Sequence, residues 1–291
     1  MKKKIIKILT AVAVLLAIIA AAVTVYTVCL SKPKKISPKK TVKLSEMTDK
    51  TEGIKLIAHR GLSGIAPENT VPAFTEAGKA GYYGAECDVR MTKDGKWVIM
   101  HDFDTKRMCY AFKPISSSTY EELLTLDIKN GANIEKYKNT KIATVEEYLE
   151  VCVKYSLTPV IEIKNSDCSL LTMQSLYDAV DAVEGVEGVE DVIFISFTKQ
   201  AIENIKKINK NSVCYLLVNE MKTDDVDYCA KNGFGIDFNA NNKKLTDETL
   251  DYAVESGIVL SCWTVDQKDT LNRMLGYDIK IFTTNRILPE E

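Results

Sequence analysis

From residue 54 onward the chain alternates short β-branched runs with amphipathic stretches, and this pattern constrains the fold more than any other feature. Such alternation is the signature of a parallel sheet with crossover helices. The predicted strands are Ile54–His59, Gly84–Val89, Lys96–His101, Thr158–Ile163, Asp191–Ser196, Ser212–Val218, Gly235–Phe238, Ile258–Trp263 and Ile279–Thr283. Helix starts are readable between them. Asn69 or Thr70 caps one, and Ser118 with Glu121 and Thr144 with Glu147 have capping-box spacing. Others begin near Thr198, Thr223, Asp247 and Asp266. Nine strands are one more than a (β/α)8 barrel requires. Gly84–Val89 and Lys96–His101 are joined by Thr92-Lys93-Asp94-Gly95, and Asp-Gly is a strong hairpin signal. One of that pair is therefore a barrel strand and the other an adjunct. About 248 residues follow residue 43, against the ~250 typical of such a barrel.

The first 43 residues are of another kind. They hold ten lysines and no acid, and removing those ten from the chain's 38 basic residues leaves 28 against 40 acidic, a formal charge of −12. A domain that acidic is a poor nucleic-acid binder, because phosphate backbones need a basic face. It suits a cation site or a metal-bridged anionic substrate. Ile8 to Leu30 is an uncharged, almost wholly apolar run, long enough to cross a ~30 Å hydrocarbon core as a helix and longer than a signal-peptide h-region. The reading is a basic tail (1–7), an uncleaved transmembrane helix (8–30), a polar tether (31–53) and one domain (54–291). Lysines flank the apolar run on both sides, so charge alone leaves the orientation open. The expectation is a single-pass protein of the cell membrane with its domain on the extracytoplasmic side. Seven cysteines fall in the domain, an odd number inside predicted strands and helices, and they read as small apolar core residues.

The chemistry-bearing residues gather at predicted strand ends. His59 and His101 are the only histidines, and both close a predicted strand. In a parallel barrel those ends meet at one face, where active sites are built. A lone histidine is more often structural, but two on one rim suit general acid–base work. Glu86 and Asp88 stand two apart, so they share one face of a strand. Two like charges ~4 Å apart repel by about 4 kcal/mol at an effective dielectric of 20, so a shared proton or a cation must offset them. Glu162 repeats the pattern inside Val160-Ile161-Glu162-Ile163-Lys164, where it could instead pair with Lys164. Three carboxylates at strand ends more naturally make an oxygen-rich site for Mg2+ or Ca2+. Arg60 and Lys164 beside them make an anion site, with Arg60 able to grip phosphate bidentately. Trp263 ends a late strand, either as core or as the apolar wall of a pocket.

The segment from His59 to Asp102 resembles the signature of glycerophosphodiester phosphodiesterases: His-Arg-Gly, Pro-Glu-Asn-Thr, then E-x-D-V-x-x-T-x-D-G and a closing His-Asp. Ala143-Thr144-Val145-Glu146-Glu147, Ile161-Glu162-Ile163-Lys164, Ile195-Ser196-Phe197 and Cys262-Trp263-Thr264-Val265 continue the likeness in order. The resemblance implies a TIM barrel with His59 and His101 as the acid–base pair, in either assignment. It implies that Glu86, Asp88 and Glu162 hold a divalent cation, that Arg60 and Lys164 bind phosphate, and that Trp263 lines a glycerol pocket. Two positions depart from the pattern. Asn285 stands where the last strand usually ends in aspartate, and Asp266 where asparagine is common. The insertion after the second His-Asp, about 103–137, is short, so any lid is modest.

The expected activity is metal-dependent hydrolysis of a glycerophosphodiester to glycerol 3-phosphate and an alcohol. One rival is a phospholipase acting on lysophospholipids or related membrane diesters. Another is a catalytically inactive, membrane-tethered binding module, against which the intact acids and histidines argue.

Overall fold

Eight of the nine predicted strands close into a cylinder. The computed structural model describes residues 10, 13–15, 17, 33–186 and 192–290. Two units are distinguished, residues 1–34 and residues 35–291. In the first, residues 10, 13–15 and 17 are helical. The predicted span Ile8–Leu30 lies for the most part outside the described residues, and among those that are described no helix is long and apolar enough to cross a membrane.

In the second unit the strands are β1 (Val42–Lys43), β2 (Lys55–Ala58), β3 (Gly84–Met91), β4 (Trp97–Ile99), β5 (Thr158–Ile163), β6 (Ile193–Ser196), β7 (Val213–Val218), β8 (Gly235–Asn239), β9 (Leu260–Trp263), β10 (Ile281–Thr284) and β11 (Ile287–Leu288). Eight of them run in parallel in the order β2-β10-β9-β8-β7-β6-β5-β3, and β3 pairs back onto β2 to close the barrel. The Asp-Gly hairpin resolves as its two alternatives allowed. β3 is a stave, and β4 lies antiparallel on its outer end, with Val89 opposite Ile99. Ile57, Val160, Ile193, Ile195, Tyr215 and Leu217 pack together in one cluster, at the inward-facing positions of their strands. The alternate positions, such as Cys87, Ile161, Phe194, Ile236 and Phe238, pack outward in the main core with the helices.

Helix starts follow the sequence closely. Thr70 and Thr144 cap as predicted, and Thr144 forms a capping box with Glu147. The box expected from Ser118 and Glu121 is instead Thr119 with Glu122, because the Ser118 hydroxyl donates to the Pro114 carbonyl at 2.9 Å. Leu170–Asp181, capped by Ser169, is a helix without a predicted counterpart. The helix expected near Asp266 begins at Lys268.

The segment expected as a tether is built into the barrel unit over much of its length. β1 pairs in parallel with β11, Leu44 and Met47 are buried, and the Asn272 amide donates to the Met47 carbonyl at 2.9 Å. The short insertion after β4 has its own core of Met100, Met108, Ile115, Leu123 and Ile128, which fixes it beside the barrel mouth. All seven domain cysteines are free and buried, as read from sequence.

Candidate active site

The mouth of the barrel at the C-terminal ends of its strands holds a cavity of about 280 Å³. His59, Arg60, Glu86, His101, Glu162, Lys164 and Trp263 line it, which is seven of the eight residues singled out from sequence. The eighth, Asp88, is fully buried in the acid cluster. A larger hollow of about 490 Å³ opens at the other end, between Tyr83 and Tyr215, but among the described residues no acid, histidine, lysine or arginine lines it. Chemistry rather than size identifies the site.

Local backbone explains why the first motif has its residues. Arg60 sits in the left-handed region at φ 57°, a strained conformation for a side-chain-bearing residue, and its N–H donates to Glu86 Oε2 at 2.7 Å. Gly61 follows at φ 71°, and a Cβ there would lie 2.6 Å from the Ala73 backbone. Asn69, also left-handed at φ 57°, donates Nδ2–H to Asp88 Oδ2 at 2.6 Å and accepts the Asp88 N–H at 3.2 Å. The two loop motifs therefore clamp the two acids of β3.

Glu86, Asp88 and Glu162 are buried, and they offer ligand oxygens that all lie within 4.8 Å of one another. Asp88 and Glu162 are register partners on β3 and β5. Burial, reinforced by Asp88 and Glu162, pushes the Glu86 carboxyl well above its usual range. Burial and Asp88 raise Glu162 to about 8. Burial also works against Asp88, but Arg60, His101, Lys164 and Asn69 outweigh it and hold that carboxyl at about 2. Lys164 Nζ lies 2.8 Å from Glu162 Oε1 and 3.6 Å from Asp88 Oδ1, so the ion pair considered from sequence does form. The Lys164 ammonium and the Arg60 guanidinium together do not neutralise three acids. Glu86 Oε1 and Asp88 Oδ1 are buried without a hydrogen bond. An all-oxygen donor set with two such atoms fits a hard divalent cation.

The histidines differ in how they are held. His59 follows β2, and its Nδ1 lies 2.9 Å from Asn285 Oδ1. Asn285 is fixed in turn by Asp266, whose Oδ2 accepts its Nδ2–H at 2.8 Å and whose Oδ1 accepts its N–H at 2.9 Å. The two departures from the family pattern are thus partners. Because the Asp266 carboxylate takes the Asn285 NH2, the Asn285 oxygen faces His59 and accepts a hydrogen bond from Nδ1–H. Burial, helped by the Arg60 charge, lowers His59 to about 4. His101 does not end a parallel strand as expected. The antiparallel β4 carries it down from the rim to the level of Asp88, whose carbonyl accepts the Met100 N–H at 2.9 Å. Its Nδ1 lies 2.9 Å from the Asp102 carboxylate.

Charged groups that the sequence reading gave no role complete the site. Arg107 binds Asp102 Oδ2 through Nε at 2.6 Å and Glu68 Oε1 through Nη2 at 2.7 Å. Glu68 Oε1 also takes Arg60 Nη1 at 2.8 Å, while Arg60 Nε lies 3.4 Å from Asp88 Oδ2. Nη1 of Arg60 is thus held by Glu68, while its Nε is buried without a hydrogen bond. Arg90 donates to the carbonyls of His101 and Lys164, tying the ends of β4 and β5 together. Across the cavity, Trp263 meets Phe197 edge-on with centroids 5.9 Å apart.

A family model described as "Glycerophosphoryl diester phosphodiesterase family" matches residues 59–288. A glycerophosphodiester phosphodiesterase of Caldanaerobacter subterraneus is 29% identical over 223 residues, covering 76% of this chain and 89% of that protein. The uncharacterized Bacillus subtilis protein YqiK is 38% identical over 112 residues, 38% of this chain and 46% of YqiK, so that match spans less than half of it. Among solved structures, an Oleispira antarctica phosphodiesterase in complex with the product sn-glycerol-3-phosphate superposes with a TM-score of 0.72. It is 21% identical, covering 79% of this chain and 92% of that one, and it supports the fold. A glycerophosphodiester phosphodiesterase from Parabacteroides distasonis gives 0.65 at 25% identity, with 79% and 92% covered.

Proposed function

We propose that this chain, which belongs to the glycerophosphoryl diester phosphodiesterase family, hydrolyses glycerophosphodiesters to glycerol 3-phosphate and an alcohol. The observation that carries the reading is the buried carboxylate triad set between two imidazoles with opposite partners. Glu86, Asp88 and Glu162 hold the divalent cation, Mg2+ or Ca2+, which supplies Lewis-acid stabilisation of charge on the phosphoryl oxygens when bound. Lys164 and the field of Arg60 attract the phosphate.

The partners of the two histidines support one assignment of their roles. His59 donates Nδ1–H to a neutral amide and is held uncharged at neutral pH, so Nε2 keeps its lone pair for the cavity. It is the general base and takes a proton from the attacking water as the new P–O bond forms. His101 donates Nδ1–H to the Asp102 carboxylate at 2.9 Å, which fixes the ring and leaves Nε2 for the cavity. It is the general acid and protonates the alkoxide as the P–O bond to the alcohol breaks. Water supplies the new phosphate oxygen; its proton stays on His59, the proton from His101 ends on the alcohol, and exchange with solvent then resets both imidazoles.

For the N-terminus we propose an uncleaved anchor over residues 8–30 that keeps the domain on the extracytoplasmic side of the cell membrane. The uncharged length of that run supports it.

The test is hydrolysis of glycerophosphocholine by the full chain before and after chelation. Chelator should abolish turnover and Mg2+ or Ca2+ restore it, and Glu86→Gln should mimic chelation in a folded protein. The metal concentration needed should rise as pH falls below about 8, because Glu162 must give up its proton to bind. Full activity in excess chelator would refute the metal assignment.

A further inference from the structure

One acid at the cavity has no part in this mechanism. Asp237 is the third residue of β8, and its neighbours Ile236 and Phe238 are fully buried in the outer core. Alternation therefore turns Asp237 into the barrel, where it lines the cavity beside its register partners Leu217 and Ser261. It is 3% exposed, and its Oδ1 is buried with no hydrogen-bond partner. Its own carbonyl accepts the Trp263 indole N–H at 3.3 Å and the Ser261 hydroxyl reaches its carboxyl, but Oδ1 is left without a partner. An unmade hydrogen bond at a buried group destabilises the fold, and positions of the same kind on neighbouring strands carry Ile195 and Leu217. A packing role would be served better by leucine. The missing partner is one that a ligand brings.

We infer that Asp237 is a specificity-determining residue whose carboxyl hydrogen-bonds a free hydroxyl on the carbon chain attached to the substrate phosphate. This rests on the proposed reaction for its placement of phosphate at the acid–histidine end. The cavity chemistry selects a hydroxyl over a cationic head group. Burial, only partly opposed by the Ser261 hydroxyl, raises Asp237 to about 7, so the group both donates and accepts hydrogen bonds near neutral pH. A cationic head group would meet the Arg60 and Lys164 charges and the bound divalent ion in a cavity of about 280 Å³. The walls between are Ile195, Leu217 and Trp263, which suit the carbon skeleton of a small polyol. A site built to bond a hydroxyl rejects the analogue lacking it, because its own polar group is then left unpaired.

Calorimetric affinity separates this role from a structural one. The full chain and its Asp237→Ala, Asp237→Asn and Asp237→Leu variants are titrated with glycerol 3-phosphate and with propyl phosphate, which has the same carbon count and no hydroxyl. Asp237→Ala and Asp237→Leu should weaken glycerol 3-phosphate at least tenfold and leave propyl phosphate within twofold. Asp237→Asn should retain most of the affinity, and Asp237→Leu should raise the melting temperature. Equal weakening of both ligands, no change in either, or a melting temperature lowered by Asp237→Leu would overturn the assignment. Wild-type hydrolysis of glycerophosphocholine is read in parallel. Its absence would refute the reaction, whereas an unmoved affinity ratio with hydrolysis intact refutes only the hydroxyl anchor.

Discussion

Exchanging Asp266 and Asn285 should move the acid limb of catalysis by about three pH units. The double substitution Asp266→Asn with Asn285→Asp keeps the net charge and restores the order usual in the family. It moves a carboxylate from behind the amide to direct contact with His59, where the acceptor lies 2.9 Å from Nδ1. Asn285→Asp alone would set two carboxylates on the Asp266 contacts, and one would take up a proton. With charge centres about 4 Å apart, an effective dielectric of 20 gives about 4 kcal/mol. At about 1.36 kcal/mol per unit, His59 rises by about three units, from about 4 to about 7. The sign follows from its role. A base must be neutral to accept a proton, so activity falls tenfold for each pH unit below its pKa. At pH 5.5 the exchanged enzyme should be about 30-fold slower in kcat/KM than the wild type, with little difference above pH 8. The assay is a pH profile of glycerophosphocholine hydrolysis at saturating metal. With only two histidines in the chain, ring-nitrogen NMR can follow the same titration at His59 directly. Coincident profiles for the two proteins would refute the claim that Asn285 sets the state of this base.

The two histidines should also separate by leaving group. His101→Ala should cost about 10²–10⁴-fold on a natural diester but recover on a p-nitrophenyl phosphodiester, whose leaving group needs no proton, while His59→Ala should not recover. Rescue of His59→Ala instead would reverse the assigned roles. If residues 8–30 are an uncleaved anchor, the mature chain should start near Met1 and sediment with membranes. N-terminal sequencing that finds a start at Ala22 or beyond would show that the segment is removed.

The fold was legible because barrel staves are buried on both faces and read as continuous β-branched runs, for which Thr158–Ile163 and Val213–Val218 are examples. What escaped was short or polar. β1 and β11 are two residues each, and β1 sits in a lysine-rich segment whose composition says tether, so only its pairing across the whole chain makes it a strand. The helix Leu170–Asp181 was readable in principle. Met173, Leu176 and Val180 keep helical spacing behind a Ser169 cap, and the polar run Asn165–Cys168 before it obscured the start.

At the site, legibility followed sequence distance. Glu86 and Asp88 share a strand face two residues apart, and their convergence with Glu162 needs only the barrel register. His101 lies next to its carboxylate, so its partner was in plain view. The partner of His59 lies 226 residues away, and Arg107 reaches Glu68 across 39. No local pattern announces either. The departures at Asp266 and Asn285 are visible in the sequence only one at a time. Joined by the fold they are one device, a carboxylate that orients an amide that orients a base. Asp237 did carry a local signal, a single acid inside an apolar strand at an inward position, the same signal that marked Glu86. It lacked a second acid beside it to raise the electrostatic question, and that is why it took the closed barrel to show that Asp237 lines the cavity with a buried Oδ1 that has no partner.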